Sequence, residues 1–361
     1  MNARRPLALF AALLTVAGPA VAEDLVVVST GGDGVTKVGG RIVDYTGDGL
    51  VLELPGGRRQ TFAADKVLSV KTQYDPKQME ADRAFGENDF ARALALYREV
   101  RSAETRPWVQ RQITARMVWC LRGLGQPEVA GEEFLLLIRS DPTTPYFDCI
   151  PLAWIPSQPS VPLERAAGQW LARDDMPAAV LLGASHLLPT AARADALARL
   201  KKLTSATDRR IARLALAQTW RAEVATVDEQ RLAAWSHLIE AIPESPINLC
   251  TSSARIKAAG PGNRFVGSAT VSKAGPYYVM GLARAHRREW EDAALALLHA
   301  PILFPRDRAL AAQSLLDAGR SLERLDRTKK AARLYRELIE TYPKARSAAE
   351  ARGRLDEMAK E

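Results

Sequence analysis

The sequence predicts a mostly α-helical protein, a stacked array of helix pairs preceded by a small all-β unit. Two observations predict the array: apolar and small residues recur at helical spacing in residues 310–355, and units of similar pattern repeat at a constant interval. A third observation predicts the β unit, because residues 24–72 alternate polar and apolar positions between glycine-rich turns.

The first residues predict an export signal. Two arginines precede an apolar run at 7–16, and the small-x-small sequence at 20–22 precedes an expected cleavage before Glu23. The run is too short for a permanent anchor, although an uncleaved anchor is the alternative. We therefore expect residues 1–22 to be a signal peptide and the mature protein to be periplasmic or secreted.

Residues 23–73 predict five short strands. Turn sequences such as 47–49 and 55–57 separate the alternating segments, and so many short strands in so short a chain favour a small, bent β-barrel. Residues 40–70 resemble the SH3-like and Sm-like small barrels. Sm-like rings bind RNA, but these loops have no set of stacking aromatic residues, so no nucleic-acid partner is expected.

Helix pairs are expected in residues 76–142. Ala93 recurs as Ala130 and Tyr97 recurs as Phe134, each 37 residues later. Because the two intervals are equal, we interpret the region as two copies of one unit of paired helices.

A second set of helix pairs is expected in residues 276–361. Here Ala293 recurs as Ala331 and Leu297 recurs as Tyr335, each 38 residues later. The same spacing of small and large apolar residues at both ends of the chain predicts one repeated architecture, an α-solenoid.

The last unit resembles a tetratricopeptide repeat, and Gly319, Ala331, Tyr335 and Pro343 carry the resemblance. Small Gly319 and Ala331 let two helices approach closely, Tyr335 fills the gap beside them, and Pro343 cannot continue the helix. The family repeats every 34 residues or so, and the units here are slightly longer. The stretch from Leu310 is also similar to repeats of bacterial envelope proteins that serve outer-membrane assembly and Tol-Pal coordination.

Two segments interrupt the helices. Residues 143–161, the strap, are proline-rich but too apolar for a free linker, so we expect them to pack along the helices. Residues 245–275 lack helical periodicity and are expected to form a loop insertion, whose Phe265 docks on the array or meets a partner. Residues 162–244 read as degenerate helical repeats, with two further helical stretches in 191–242.

No motif supports catalysis. Ser185 and His186 follow glycine and alanine as in a nucleophile elbow, but the context is helical and the closing glycine is absent. The histidines and cysteines have no metal-ligand spacing, so we expect no enzyme activity, cofactor or metal. Cys120 is expected to be a buried thiol, whereas an oxidising compartment permits a disulfide between Cys149 and Cys250.

The predicted binding surface is the concave face formed by the first helix of each pair. The resemblance implies that side chains there bind extended or helical peptides. The candidates are Gln112, Trp119, Arg122, Tyr278, His286, Gln313, Arg320 and Arg324. For Trp119 and Tyr278 the alternative is packing between helices, and for the arginines it is a solvated surface.

These patterns predict a non-catalytic exported scaffold of the bacterial cell envelope that binds a protein or peptide. The net charge of +8 comes mainly from arginines scattered beside acids, which is typical of a solvated helical surface rather than a nucleic-acid site. The alternative is an envelope enzyme or glycan-binding protein that uses residues 246–274. A homo-oligomer formed through the barrel is compatible with both.

Overall fold

The computed structural model describes residues 24–31, 34–241 and 273–360. In these residues a five-stranded antiparallel sheet is followed by fourteen α-helices in a solenoid-like arrangement, which confirms the predicted fold class. The predicted signal peptide and most of the predicted loop insertion lie outside the described residues.

The sheet has the spatial order β4-β3-β2-β1-β5. Its strands are β1 (Asp24–Gly31), β2 (Gly34–Tyr45), β3 (Gly49–Glu53), β4 (Arg59–Ala63) and β5 (Val67–Lys71). The long strand β2 pairs first with β1 and then with β3, and its register with β3 shifts between Ile42 and Asp44. A shift of this kind bends a strand, so β2 can belong to both halves of a curved sheet.

The helices begin where the sequence carries start signals. They are α1 (Pro76–Gly86), α2 (Phe90–Ala103), α3 (Pro107–Gly123), α4 (Pro127–Ser140), α5 (Val161–Leu171), α6 (Pro177–Leu187), α7 (Arg193–Leu203), α8 (Arg209–Glu223), α9 (Glu229–Glu240), α10 (Ala274–His286), α11 (Trp290–Leu303), α12 (Arg308–Glu323), α13 (Thr328–Thr341) and α14 (Arg346–Met358). Proline stands in the first turn of α1, α3, α4, α5 and α6. An aspartate carboxylate caps the start of α1, α2, α8, α9 and α12.

The middle of the chain differs from the prediction. Residues 191–242 contain three helices (α7, α8 and α9) rather than two. Asp208 and Asp228 each accept a hydrogen bond from a backbone N–H two or three residues later, and this capping starts a new helix at each aspartate.

Four helix pairs share one turn: α1/α2, α3/α4, α10/α11 and α12/α13. Each turn contains one residue with positive φ, and these residues are Asn88 (61°), Gly125 (69°), Arg288 (65°) and Asp326 (56°). They recur at the 37- and 38-residue intervals of the sequence pattern. The repeat therefore extends to the backbone conformation between the helices.

The predicted close approach within the last pair is confirmed. A Cβ atom built on Gly319 would lie 2.3 Å from the ring of Tyr335, so only glycine fits there without rearrangement. The preceding pair has the same arrangement, because a Cβ on Gly281 would lie 2.6 Å from Leu297.

Even-numbered helices also contact one another across the pairs. Each contacts the next in the series: α4 with α6, α6 with α8, α8 with α10, α10 with α12, and α12 with α14. We call these six helices the inner row. Continuous contact along such a row is what stacks helix pairs into a solenoid.

The sheet is fixed to the start of the array by polar contacts. Arg111 on α3 donates to the backbone oxygen of Tyr45 at 3.0 Å and pairs with Asp44. The backbone N–H of Gly47, in the turn between β2 and β3, donates to Asp141 at 3.1 Å. Sheet and helices thus share one hydrophobic core.

Within residues 24–31, 34–241 and 273–360 no helix is long and apolar enough to cross a membrane. The same ranges contain no group of three His, Cys, Asp or Glu side chains that could hold a metal ion. Cys120 and Cys149 are buried thiols. Cys250 lies outside the described residues, so its pairing with Cys149 stays a prediction.

Candidate functional site

The strap lies against the helices as an irregular segment with a 3-10 turn at Phe147–Cys149, and helix side chains bind its backbone. Arg122 on α3 donates to the carbonyl oxygen of Cys149 at 3.2 Å, and Gln218 on α8 donates to that of Ala153 at 3.1 Å. His186 Nε2 on α6 lies 2.9 Å from the carbonyl oxygen of Pro151. Three helices far apart in sequence therefore hold one segment that is neither α-helix nor strand.

Arg210 on α8 makes the densest set of these contacts. Its guanidinium donates to the carbonyl oxygens of Pro142 and Thr144, at 2.7 and 3.0 Å, and lies 4.3 Å from the ring centroid of Phe147. Asp208 pairs with the same guanidinium and holds it in place. A planar guanidinium can make these contacts together because its donors are fixed and its face stacks on aromatic rings.

Apolar side chains anchor the strap between the helices. Phe147 is 1% exposed and meets Phe134 of α4 edge to face at 5.7 Å between ring centroids. At the other end, Trp154 fills the space above Gly275 of α10, where a Cβ atom would lie 2.0 Å from the indole. The strap is therefore part of the core from α4 to α10.

Electrostatics around the strap follow from burial. Burial lowers the pKa of His186 to about 4, although its hydrogen bond to Pro151 opposes the shift, so the imidazole is neutral near pH 7.

Arg122 also pairs with Asp307 at the start of α12. Arg122 and Asp307 are 185 positions apart in the sequence, so the array curves enough to bring the end of α3 beside the start of α12.

Ser185 and His186, interpreted from sequence as ordinary helix residues, hold the strap. The Ser185 hydroxyl accepts from the backbone N–H of Ala153 at 3.3 Å and donates to the oxygen of Leu182. Their signal in the sequence is a pair of polar residues inside the otherwise apolar helix α6, since buried polar groups usually have a fixed partner.

Four of the predicted binding residues are largely buried. Gln112 accepts a hydrogen bond from the Tyr74 hydroxyl, Trp119 is 7% exposed beneath the guanidinium of Arg122, and Tyr278 is 1% exposed. For Trp119 and Tyr278 the structure favours packing, the alternative considered from sequence. Arg122 binds the strap rather than facing solvent.

The structure brings three predicted residues together around one carboxylate that the sequence analysis missed. The Tyr278 hydroxyl and the Gln313 amide donate to Asp317, at 3.0 and 3.1 Å, and Arg320 donates to its other oxygen at 2.8 Å. Arg320 also pairs with Glu350 on α14. We call these five residues the Asp317 cluster. Its sequence signal is an acid four positions after Gln313 and three before Arg320, on one face of α12.

The Asp317 cluster lies on the inner row and reaches the surface. The side chains of Arg320 and Glu350 are 44% and 47% exposed. His286, at the end of α10, and Arg324, at the end of α12, are also exposed. Of the predicted residues in the C-terminal pairs, His286, Arg320 and Arg324 are thus accessible to a partner, whereas Tyr278 is buried.

A cleft of about 810 Å³ separates part of the sheet from the first helices. Two acids on its walls are already paired: Glu53 with Arg41 at 3.1 Å, and Glu104 with Arg106 at 2.7 Å. The hydrogen bond from Arg106 lowers the pKa of Glu104.

Comparison with known families supports the interpretation of the C-terminal pair. Residues 313–345 match the family model described as Tetratricopeptide repeat. A comparison with curated proteins gave no match. The matched segment covers most of α12 and all of α13, including Gln313, Arg320 and Arg324. This part of the chain is therefore similar to a repeat type that suggests protein–protein interaction.

Proposed function

We propose that this protein is an exported, non-catalytic scaffold that binds a protein or peptide partner at the Asp317 cluster. The observation that carries the proposal is the difference along the inner row. From α4 to α10 the row is covered by the strap, whereas at α12 and α14 the polar cluster is accessible. The tetratricopeptide match falls on the accessible end.

The strap supports the mode of binding. His186 and Gln218 bind the carbonyl oxygens of Pro151 and Ala153, which follow the 3-10 turn of the strap, so the array has the geometry to bind the backbone of a non-helical chain. Gln313 and Arg320 present the same kinds of donor at the other end of the row. The partner we propose is an extended peptide whose carbonyl or carboxylate oxygens replace Glu350 at Arg320.

The envelope location is proposed from residues 1–22, whose pattern is that of a cleavable export signal. The order of the five strands, with a 3-10 turn at Ala64–Lys66 between β4 and β5, supports closure of the sheet into a small SH3-like barrel. Mass spectrometry of the mature protein tests the location: a chain beginning at Glu23 supports export, and an intact Met1 contradicts it.

Photo-crosslinking in cells tests the binding surface. A photoreactive residue at Arg324, beside the Asp317 cluster, should form a covalent adduct of one defined mass, whereas the same residue at Lys329 on α13 should not. Arg320→Glu should abolish the adduct, because it reverses the charge that the partner meets. The control Arg333→Glu changes an exposed charge on α13 and should leave the adduct unchanged. Equal labelling at both positions, or an adduct that survives Arg320→Glu, would overturn the proposal.

A further inference from the structure

The cleft between the sheet and the first helices has on its wall a carboxylate that no cation neutralises. Its volume of about 810 Å³ is in the range of sites that hold a drug-sized ligand. Asp24, at the start of β1, lines the cleft and is 9% exposed. One oxygen of its carboxylate accepts a hydrogen bond from the backbone N–H of Ile42 at 2.8 Å, and in residues 24–31, 34–241 and 273–360 it has no ion-pair partner. Because a buried charge is usually paired, this carboxylate is a candidate group for binding a ligand.

Arg106 lines the same cleft but is bound by other groups. Its Nε and Nη2 donate to Glu104, at 2.9 and 2.7 Å, and its Nη1 donates to the Thr72 hydroxyl and the Gln73 carbonyl oxygen, at 3.0 and 3.2 Å. The hydrogen bond to Glu104 raises the pKa of Arg106, and the charge of Asp24 adds to the rise. The guanidinium is therefore near enough to interact with Asp24, but all three of its nitrogens are held elsewhere.

The other charges leave the cleft acidic. Its charged lining residues are the acids Asp24, Glu53, Asp75 and Glu104 and the arginines Arg41 and Arg106. Glu53 pairs with Arg41 at 3.1 Å and also with Arg59, outside the lining, at 3.6 Å. Asp75 caps α1 by accepting from the N–H of Lys77 at 2.7 Å, and it has no ion pair in the described part of the chain. Even with Arg59 counted, acids outnumber arginines here, although the whole chain carries +8, so the cleft attracts a cation.

The linker between β5 and α1 adds hydrogen-bond donors to this wall. Gln73 and Tyr74 line the cleft and belong to neither helix nor strand. Among the residues that the structure describes, their backbone N–H groups have no hydrogen-bond partner. Such groups bind water or the oxygen of a ligand. A peptide is the ligand that brings carbonyl oxygens and a basic side chain together.

We propose that this cleft binds a peptide segment of a partner protein, and that a lysine or arginine side chain of the segment pairs with Asp24. The carbonyl oxygens of the segment accept hydrogen bonds from the N–H groups of Gln73 and Tyr74. The pair with Asp24 is a charged hydrogen bond in a largely buried place, where such a bond is stronger than in open solvent. The cleft is formed by the sheet and the first three helices, whereas the Asp317 cluster belongs to α10, α12 and α14, so neither proposal depends on the other.

Solution NMR of the whole mature chain, with isotope-labelled glycine, tests the site. Gly40, Gly56 and Gly57 line the cleft, and Gly353 on α14 does not. Titration with acetyl-Thr-Arg-Thr-amide should shift the amide signals of the three cleft glycines until they saturate and leave that of Gly353 unchanged. Acetyl-Thr-Glu-Thr-amide should shift none of them. The absence of a saturable shift at the cleft glycines, or an equal shift at Gly353, would overturn the proposal.

Two variants test the role of the carboxylate. Asp24→Asn should weaken the binding of acetyl-Thr-Arg-Thr-amide at least about tenfold, because its amide oxygen can still accept from Ile42 whereas its charge is lost. Asp65→Asn removes an exposed acid that does not line the cleft, and this matched control should bind like the wild type. Equal affinity of Asp24→Asn and the wild type would contradict the proposed pair.

A second probe separates a peptide from a free cation. Propylguanidinium carries the charge of an arginine side chain without carbonyl groups, so it should bind at least about tenfold more weakly than acetyl-Thr-Arg-Thr-amide. Equal affinities would show that the cleft recognises charge alone and would overturn the peptide assignment. Arg320→Glu, which disrupts the Asp317 cluster, should leave the shifts of the cleft glycines unchanged. Loss of these shifts in Arg320→Glu would place the peptide at the Asp317 cluster instead and contradict a separate site.

Discussion

The two ends of the inner row are built from similar helix pairs but have different surfaces. From α4 to α10 the strap covers the row, and residues such as His186 and Gln218 bind its backbone. At α12 and α14 the polar Asp317 cluster reaches the surface, and the side chain of Arg320 is 44% exposed. Along this row, the strap therefore accounts for the difference between the covered helices and the exposed Arg320.

Removing the main anchor of the strap should have the largest effect on stability. Phe147→Ala should lower the free energy of unfolding by about 3–5 kcal/mol, because it deletes a fully buried ring between Phe134 and Arg210. At the open end, Arg320→Ala should lower it by only about 1 kcal/mol, since the guanidinium is 44% exposed although its partner Asp317 is largely buried. Denaturant unfolding measures both. Equal effects of the two variants would contradict the distinction between covered and open ends.

The covered end should also be sensitive to acid. The folded pKa of His186 is about 4, below its ordinary 6.5, so between these pH values the unfolded chain binds a proton that the folded chain does not. The stability that depends on neutral His186 is complete above pH 6.5 and is lost as the pH falls to about 4. The full loss is about 3 kcal/mol.

Denaturant unfolding at several pH values measures this loss. Carboxylates titrate in the same range, so the control is His186→Gln, whose amide can still donate to the Pro151 oxygen. The wild type should lose more stability than this variant on acidification from pH 7 to pH 5, by about 2 kcal/mol. Parallel pH profiles for the two proteins would refute the role given to His186.

Adding a methyl group at Gly319 tests whether the close contact between α12 and α13 stabilises the C-terminal end of the array. Gly319→Ala places a Cβ atom against the Tyr335 ring and should cost about 1–3 kcal/mol. Gly353→Ala on α14 is the control, because a Cβ there has no atom within 4 Å. Thermal unfolding of the two variants makes the comparison. A Gly319→Ala protein as stable as the wild type would show that α12 and α13 separate easily.

The last prediction concerns the turn that the four pairs share. Arg288 adopts φ of 65°, which costs a non-glycine residue about 1–2 kcal/mol, whereas Gly125 occupies the equivalent turn without that cost. Glycine also gives the unfolded chain more conformational entropy, and this offsets part of the gain from relieving the strain. Arg288→Gly should therefore stabilise the protein by about 0.5–1 kcal/mol. The reverse change, Gly125→Arg, should destabilise it. A loss of stability in Arg288→Gly would mean that the contacts of the Arg288 side chain stabilise the fold by more than the strain of its positive φ destabilises it.

The fold was largely predictable because helix pairs leave a periodic pattern. The interval from Ala293 to Ala331, and the small Gly319 beside Tyr335, follow from how two helices touch. The strands were predictable for the same kind of reason, since turn residues and alternation are local. Even so, the short linker before Asp208 was missed, because one capped aspartate divides a helix without changing its apolar pattern.

The candidate site was predictable only in part. Side chains that bind a partner and side chains that bind the strap look alike in sequence, because both are polar residues on an inner helix face. Arg122 and Arg320 were therefore given the same role, although one binds Cys149 and the other is exposed. Many of the strap contacts are made to backbone carbonyl oxygens, which every residue carries and which therefore give no sequence signal.

The pair between Arg122 and Asp307 has a mechanical consequence. Solenoids whose repeats contact only their neighbours extend under tension like a spring. Here one charge pair, between side chains that are 14% and 17% exposed, joins α3 to the residue that caps α12. We expect this pair to oppose the separation of α3 from α12 when the two ends of the chain are pulled apart.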